Sequence, residues 1–309
     1  MAARTTQQSG NASNNAVWDG GTALLDGDSI TIAAGHVLTW DMDKSAWTTG
    51  VAGITITSAA GTPAKLTFPT SGGPYVLPIK TATTISGSNA ANKGQLYIGS
   101  QGTPIPNTTY IKIDLLTSAS INCQYLDVQI FGTEPTHKFV RTLNAESAAA
   151  TVIETDTDVS AEWAVGDLLI FANTRATTNL LSTATIASFS GSTINLSGGG
   201  LTYGVNAGAY VVKANRNVEI VSGVATAMRV IALSSSTVPG TWQCAIRQAT
   251  QSKAGYGAGT TSNLIDPAIH TFPGVISGFS FGLVDSQNTV VSGIIANCVT
   301  LIGPSNVGT

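Results

Sequence analysis

The sequence predicts an all-β chain, a β-rich N-terminal domain leading into a right-handed parallel β-helix, a solenoid of short strands. Three observations predict it. Apolar runs are of strand length, alternate with period two, and are broken by Gly, Asn or Pro. Helical periodicity is nearly absent, its best stretch being Asn144 to Ala150. Towards the C-terminus, short apolar triplets alternate with Gly, Asn and Ser at a spacing close to one solenoid coil.

The elements follow in order. Residues 1–16 are polar and rich in Gly, Asn and Ser, which predicts a flexible attachment arm. Residues 17–135 form the β-rich N-terminal domain. There SITIA (Ser29 to Ala33) and HVLTWD (His36 to Asp41) alternate around an Ala34-Gly35 turn. GITITSA and KLTFP repeat the device around Gly61-Thr62-Pro63, and YVLPIK, TTISG, GQLYIG and YIKIDLL follow. Residues 136–309 are assigned to the β-helix body. Within it, a block from about Thr136 to Val221 holds WAVGDLLIFANT, TATIASFSG, STINLSG and GAYVVKANRNVEIVSG. Val238 to Thr271 has little apolar periodicity and reads as a surface excursion. ISGFSFG and VSGIIAN read as successive coils, with Asn288 and Asn297 as stacked turn residues. No amphipathic or charged segment covers the last coil, so the body is expected to continue in further chain or to be capped by another chain. Val290, Ile294, Val299 and Leu301 would be covered there, worth roughly 6–12 kcal/mol at ~1.5–3 each.

Composition narrows the function. Hydrophobic residues are 43% of the 309 but charged residues only 10%, against about a quarter charged in an average globular chain. A Thr, Ser and Asn surface suits a permanently assembled structural protein. The 14 Lys and Arg are scattered and the net charge is −3, which argues against nucleic acid as a partner. No run approaches the ~20 apolar residues of a membrane span, and the N-terminus lacks the apolar core of a signal peptide. The expected origin is therefore a host cytoplasm and the expected location a virion, with an extracellular location as the alternative. Cys123, Cys244 and Cys298 are far apart and read as small buried hydrophobes rather than a disulfide framework.

Several stretches together resemble the eight-glycine domain and the β-helix that follows it in fibrocystin and in cell-surface hyaluronan-binding and hyaluronan-degrading proteins. They are Trp18, GDSITIAAGHVLTWD, ITITSAAGTPAKLTF, GQLYIGSQGTPIP, WAVGDLLIFANT, LTYG and NRNVEIVSG, in that order over roughly residues 17–225. Animal members often carry a His soon after the LTY segment, where this chain has Gly204-Val205-Asn206. The resemblance therefore implies a fold and no catalytic residue. The opening, with its Gly/Asn arm, Trp-Asp-Gly-Gly and GDSITIAAGH, also resembles the start of many bacteriophage virion proteins.

The candidate chemistry is sparse. Asp41 and Asp43, two residues apart at a strand end and near Asp26 and Asp28, are a weak Ca²⁺ candidate, since hard cations want six or more oxygens together. The simpler reading makes Asp26 and Asp28 turn residues that accept backbone N–H groups. Asp156, Asp158 and Glu162 could pair as glycosidase acids, but their context reads as a turn leading into the Trp163 strand. His36, His137 and His270 have no titratable partner at a useful spacing. Arg216, between two asparagines, is expected to bond backbone carbonyls in a turn. Trp47 and Trp242 lie in polar segments and are the glycan-contact candidates. No cofactor is expected. The expectation is a non-enzymatic phage component: a tail fibre, spike or head-decoration protein that assembles with itself, as a trimer if a fibre, and with other virion proteins. Cell-surface polysaccharide is its candidate ligand in host attachment. The alternative is a secreted β-helix protein that binds or degrades polysaccharide, as a lyase or hydrolase.

Overall fold

The computed structural model describes residues 1–80, 83–89, 92–100, 102–116, 119–122, 125–133, 136–137, 139–171, 182–213 and 215–222. It also describes 229–231, 240–243, 245–248, 270–271, 275–279 and 299–302, for which, as for 120, 122 and 222, the main chain alone is considered. The first strands are β1 (Ala3–Thr5), β2 (Gly10–Asn11), β3 (Ser29–Ile32), β4 (Val37–Thr39), β5 (Ile54–Ile56), β6 (Lys65–Thr67) and β7 (Tyr75–Ile79). Next come β8 (Thr84–Gly87), β9 (Gly94–Ile98), β10 (Ile111–Leu115), β11 (Ser120–Asn122) and β12 (Leu126–Phe131). A second group comprises β13 (Phe139–Arg141), β14 (Val152–Glu154), β15 (Leu168–Phe171), β16 (Ser182–Ser190), β17 (Thr193–Leu196) and β18 (Tyr210–Lys213). The last are β19 (Val218–Ser222), β20 (Arg229–Ile231), β21 (Gly240–Gln243), β22 (Ala245–Gln248), β23 (His270–Thr271), β24 (Val275–Phe279) and β25 (Val299–Ile302). The chain is all-β; helix among the described residues is confined to short 3-10 turns such as Asn15–Val17 and Asp19–Gly21. Among the described residues no helix is long and apolar enough to cross a membrane.

Among the described residues the sheets are mixed, three parallel and one antiparallel. The first runs β1-β3-β5-β8-β11-β20, the second β2-β4-β6-β9-β12-β21-β23, and the third β7-β10-β19-β22-β24-β25. Chain order is kept within each, so the chain visits the sheets in turn and comes back one strand further along. Period-two alternation sends one face of every strand inward, and parallel register then stacks like on like. Ile30, Ile54, Ile85 and Ile121 form one buried column. Leu38, Leu66, Leu96 and Val128 form a second, and Leu77, Ile113 and Ile220 a third. The close spacing leaves no room for side chains at some corners. A Cβ on Gly50 (φ 74°) would lie 2.9 Å from the Pro78 carbonyl oxygen, so this turn needs glycine.

Residues 1–16 are structural and do not form the free arm their composition suggests. β1 pairs with β3 and β2 with β4, and backbone hydrogen bonds need no apolar side chain. The segment then folds over the first rung of the core. Ala12, Val17, Trp18 and Leu24 are buried against it, and Trp18 Nε1 donates to the Ala12 carbonyl at 2.9 Å. Asp28, 2% exposed, fastens this cap. Its carboxylate accepts the Ala2 N–H at 2.7 Å, the Leu25 N–H at 3.1 Å and Arg4 Nε at 3.1 Å.

The chain does change character at 135/136, but not into a body that runs on to the C-terminus. β12 before that point and β19 and β21 after it share the same parallel stack, so the stack runs from β1 to β25. What begins near 136 is an insertion. In it β13-β18-β15-β16-β17-β14 form an antiparallel sheet. Its two edges meet at an antiparallel Thr142–Thr155 bridge, where Leu143 N donates to Glu154 O and Asp156 N to Arg141 O, both at 2.9 Å. The sheet thus closes into a six-stranded barrel without free edges. Its separate core includes Val140, Ile153, Trp163, Leu169, Phe171, Ile186, Ile194 and Val211. The excursion expected over Val238 to Thr271 differs too, since β21, β22 and β23 extend the parallel sheets.

Burial alone would raise the Asp28 pKa, but the N–H groups of Ala2 and Leu25 and the Arg4 guanidinium outweigh it and hold the carboxyl below its ordinary value. A depressed folded-state pKa stabilises the fold fully above the unfolded value of about 3.9, and that contribution is lost as pH falls through the folded value. Asp28→Asn should therefore unfold at lower urea at pH 7 than the parent, with the gap shrinking towards pH 2. Equal urea midpoints at pH 7 would show that Asp28 does not hold the cap.

Candidate functional site

At one end of the barrel, where β13 begins and the chain leaves β14, an open cleft of about 430 Å³ is lined by Thr136, His137, Phe139, Val140, Asp156 and Thr157. Glu162 organises its rim. One carboxylate oxygen accepts the Thr136 N–H at 3.2 Å; the other accepts the His137 N–H at 2.9 Å and faces His137 Nδ1 at 3.2 Å. Trp163 Nε1 donates to the His137 carbonyl at 2.9 Å, which ties the rim to the barrel core. Asp156 Oδ1 accepts the Arg141 N–H at 2.9 Å and the Thr157 hydroxyl at 3.3 Å. Asp158 accepts the Ser160 N–H at 2.9 Å, a turn contact.

The ionisation of these groups follows from their partners. Burial would raise the Glu162 carboxyl, but hydrogen bonds from Thr136 and His137 and the attraction of the imidazole hold it below its ordinary value. The backbone and side-chain bonds of Ser160 lower Asp158. A glycosidase general acid needs the opposite shift, a carboxyl raised so that it carries a proton near neutrality. Asp158 and Glu162 are thus backbone-anchored anions, in keeping with a turn leading into the Trp163 strand rather than with a pair of glycosidase acids.

The other candidates are dispersed. Asp41 accepts Ser13 N–H and Oγ at 2.9 and 2.5 Å, and Asp43 caps Ser45 N–H at 2.9 Å. Asp26 accepts the N–H groups of Thr48, Thr49 and Gly50. The described residues contain no group of three or more His, Cys, Asp or Glu able to hold a metal ion. His36 Nδ1 lies 2.9 Å from Thr6 Oγ1, within the N-terminal cap. Trp47 is half-buried, packs edge-on to Trp40 with centroids 6.4 Å apart, and carries the Lys44 ammonium 4.9 Å over its ring. Trp242 sits in β21 opposite Ile130 in register; its side chain lies outside the described residues, as do Cys123, Cys244, Cys298, Asn288, Val290, Ile294 and Asn297. His270 is described only as main chain in β23, and Val299 and Leu301 only as main chain in β25.

Arg216 behaves as its turn context suggests, Nη1 donating to the carbonyls of Lys213 and Asn215. Its neighbour Asn217 was not singled out by sequence reasoning, yet it closes the neck of the barrel. Asn217 Oδ1 accepts the Thr133 N–H at 3.0 Å, and Nδ2 donates to the Ile105 and Pro106 carbonyls at 2.7 and 3.1 Å. The chain leaving the stack is thus tied to the chain re-entering it. No family model, curated protein or solved structure matches this chain.

Glu162→Gln should leave the barrel folded but speed hydrogen exchange at the Thr136 and His137 amides, since a neutral amide oxygen is a weaker acceptor than a carboxylate. Unchanged exchange at both amides would show that the rim is held by something else.

Proposed function

We propose that this chain is a non-enzymatic structural component of a bacteriophage particle, a tail fibre, spike or head-decoration protein, built on a right-handed parallel β-helix. The observation that carries the reading is the parallel stack itself, in which each sheet is revisited in chain order. Strand–crossover–strand connections between parallel strands of one sheet are right-handed in about 98% of cases, which supplies the handedness. Low charge and a Thr- and Ser-rich outer face suit a durable, assembled body. The carboxylates with a conceivable catalytic use are engaged by backbone N–H groups, which favours a scaffold over an enzyme. The likeness of the ordered motifs to the eight-glycine and β-helix proteins supports the same winding and carries no chemistry with it.

In this reading the particle is a homo-oligomer, a trimer if it is a fibre, joined to other virion proteins and presented to a cell-surface glycan. Residues from about 275 to 309 are the proposed contact with another chain. A secreted β-helix protein that binds or degrades polysaccharide is the second reading, and the barrel cleft is the observation that favours it.

Sedimentation of the purified protein with parallel electron microscopy should show an elongated homo-oligomer. The same preparation should release no reducing ends from hyaluronan, pectin or bacterial capsule above a heat-killed control. A stable monomer at micromolar concentration would overturn the assembly reading. Depolymerisation abolished by Asp158→Asn or Glu162→Gln would replace the structural reading with the enzymatic one.

A further inference from the structure

We propose that the barrel cleft beside His137 is a binding site for a neutral pyranose unit of a glycan, with Phe139 as the stacking surface and Asp156 and His137 as the hydroxyl-binding groups. The proposal rests on the glycan contact in the reading above but not on the virion assignment, and it places that contact on the insertion rather than at Trp47 or Trp242.

The stacking surface comes first. Along β13 the side chains alternate, and Val140 points into the barrel core while Phe139 and Arg141 point out. Phe139 keeps 42% of its surface exposed although it stands in a regular strand. Its ring is held in place: Tyr210, across the β13–β18 ladder, meets it edge-on at 5.1 Å and 80°. Arg141 in turn lies 4.8 Å over the Tyr210 ring and donates to its hydroxyl at 2.9 Å. An immobilised, solvent-facing aromatic ring meets the C–H face of a sugar with little further loss of side-chain freedom.

Polar atoms with unused capacity lie in the same cleft. Both hydrogen bonds to the Asp156 carboxylate end on Oδ1, so Oδ2 has no partner among the described residues. His137 directs Nδ1 at Glu162, and its Nε2 has no partner among them either. A carboxylate only accepts, so His137 presents an Nδ1–H to Glu162, and Nε2 is left to meet a sugar hydroxyl, as acceptor from the neutral ring or donor from the charged one. Two hydrogen-bonding atoms beside an apolar ring match the hydroxyls and the C–H face of a pyranose. The volume falls within the range of about 300–1,000 Å³ typical of small-molecule sites, and mouths of β-barrels are among their usual places.

Charge selects among sugars. Asp156 and Glu162 put negative charge on or behind the lining, while the Arg141 guanidinium is turned onto Tyr210; that balance disfavours a uronate, a sialic acid or a phosphorylated sugar. The ligand class is therefore neutral hexose or N-acetylhexosamine chains.

The test is binding of the full chain to immobilised tetrasaccharides of glucose, galactose, mannose and N-acetylglucosamine, beside hyaluronan and alginate oligomers. At least one neutral tetrasaccharide should bind, and the anionic oligomers should bind at least tenfold more weakly. Phe139→Ala should weaken that binding tenfold or more and Phe139→Trp should keep it. Asp156→Asn should weaken it, and Trp47→Ala should leave it unchanged. The melting temperature of each variant checks that the barrel is folded, and Phe139→Trp keeps the test meaningful if Phe139→Ala melts early. The proposal is overturned if no neutral tetrasaccharide binds, if the anionic oligomers bind better, or if Phe139→Ala binds as the parent does. Loss in Trp47→Ala with retention in Phe139→Ala would keep a glycan contact for the protein but remove it from this cleft. Binding by a preparation that sediments as a monomer would support this site while the assembly reading fails.

Discussion

Parallel stacking obliges every inward side chain to rest on its counterpart in the rung below, so the columns of Ile, Leu and Val set the terms for the rest of the molecule. From β3 to β12 the columns are apolar and each rung is covered by its neighbours, but the first rung has nothing beneath it. The N-terminal segment answers that need by burying Ala12, Val17, Trp18 and Leu24 under the first rung. The acidic residues follow from the same constraint. Tight corners between strands leave N–H groups without ladder partners, and Asp26 and Asp28 accept them in place of water. The few carboxylates of this low-charge chain are thereby used as structural acceptors.

The barrel solves a different problem. It is inserted where the chain crosses from the second sheet to the third, and a loop there can lengthen at small entropic cost provided its ends stay together. Asn217 keeps them together by bonding to both the outgoing and the earlier strands' connections. Because the barrel closes through Thr142 and Thr155 and has its own core, it needs no support from the columns for its edges. Its open end carries the cleft beside His137.

Much of the stack is legible in the sequence and the barrel is less so, for physical reasons. SITIA and HVLTWD alternate cleanly because one face is buried, and Ala34-Gly35 marks their turn. Alternation reports burial but not the direction of the neighbouring strand, so the strands of WAVGDLLIFANT, TATIASFSG and STINLSG were recognisable while their antiparallel closure was not. The block limits near Thr136 and Val221 lie close to the insertion, since the break in style is compositional. Residues 1–16 were misleading because main-chain pairing at Ala3–Thr5 requires no apolar side chain. The cleft was hidden for another reason: His137 and Glu162 are 25 positions apart, and Phe139 and Tyr210 meet only through the β13–β18 ladder.

The N-terminal segment is thus the lid of the apolar columns. Urea unfolding of Trp18→Ala beside Trp47→Ala tests it most directly. Trp18 is fully buried in the cap, whereas Trp47 is half-buried at the side of the stack. Removing a buried Trp costs about 3–5 kcal/mol, so Trp18→Ala should lose that much stability and Trp47→Ala distinctly less. A Trp18→Ala protein within about 1 kcal/mol of the parent, well below that cost, would show that the segment is not the lid.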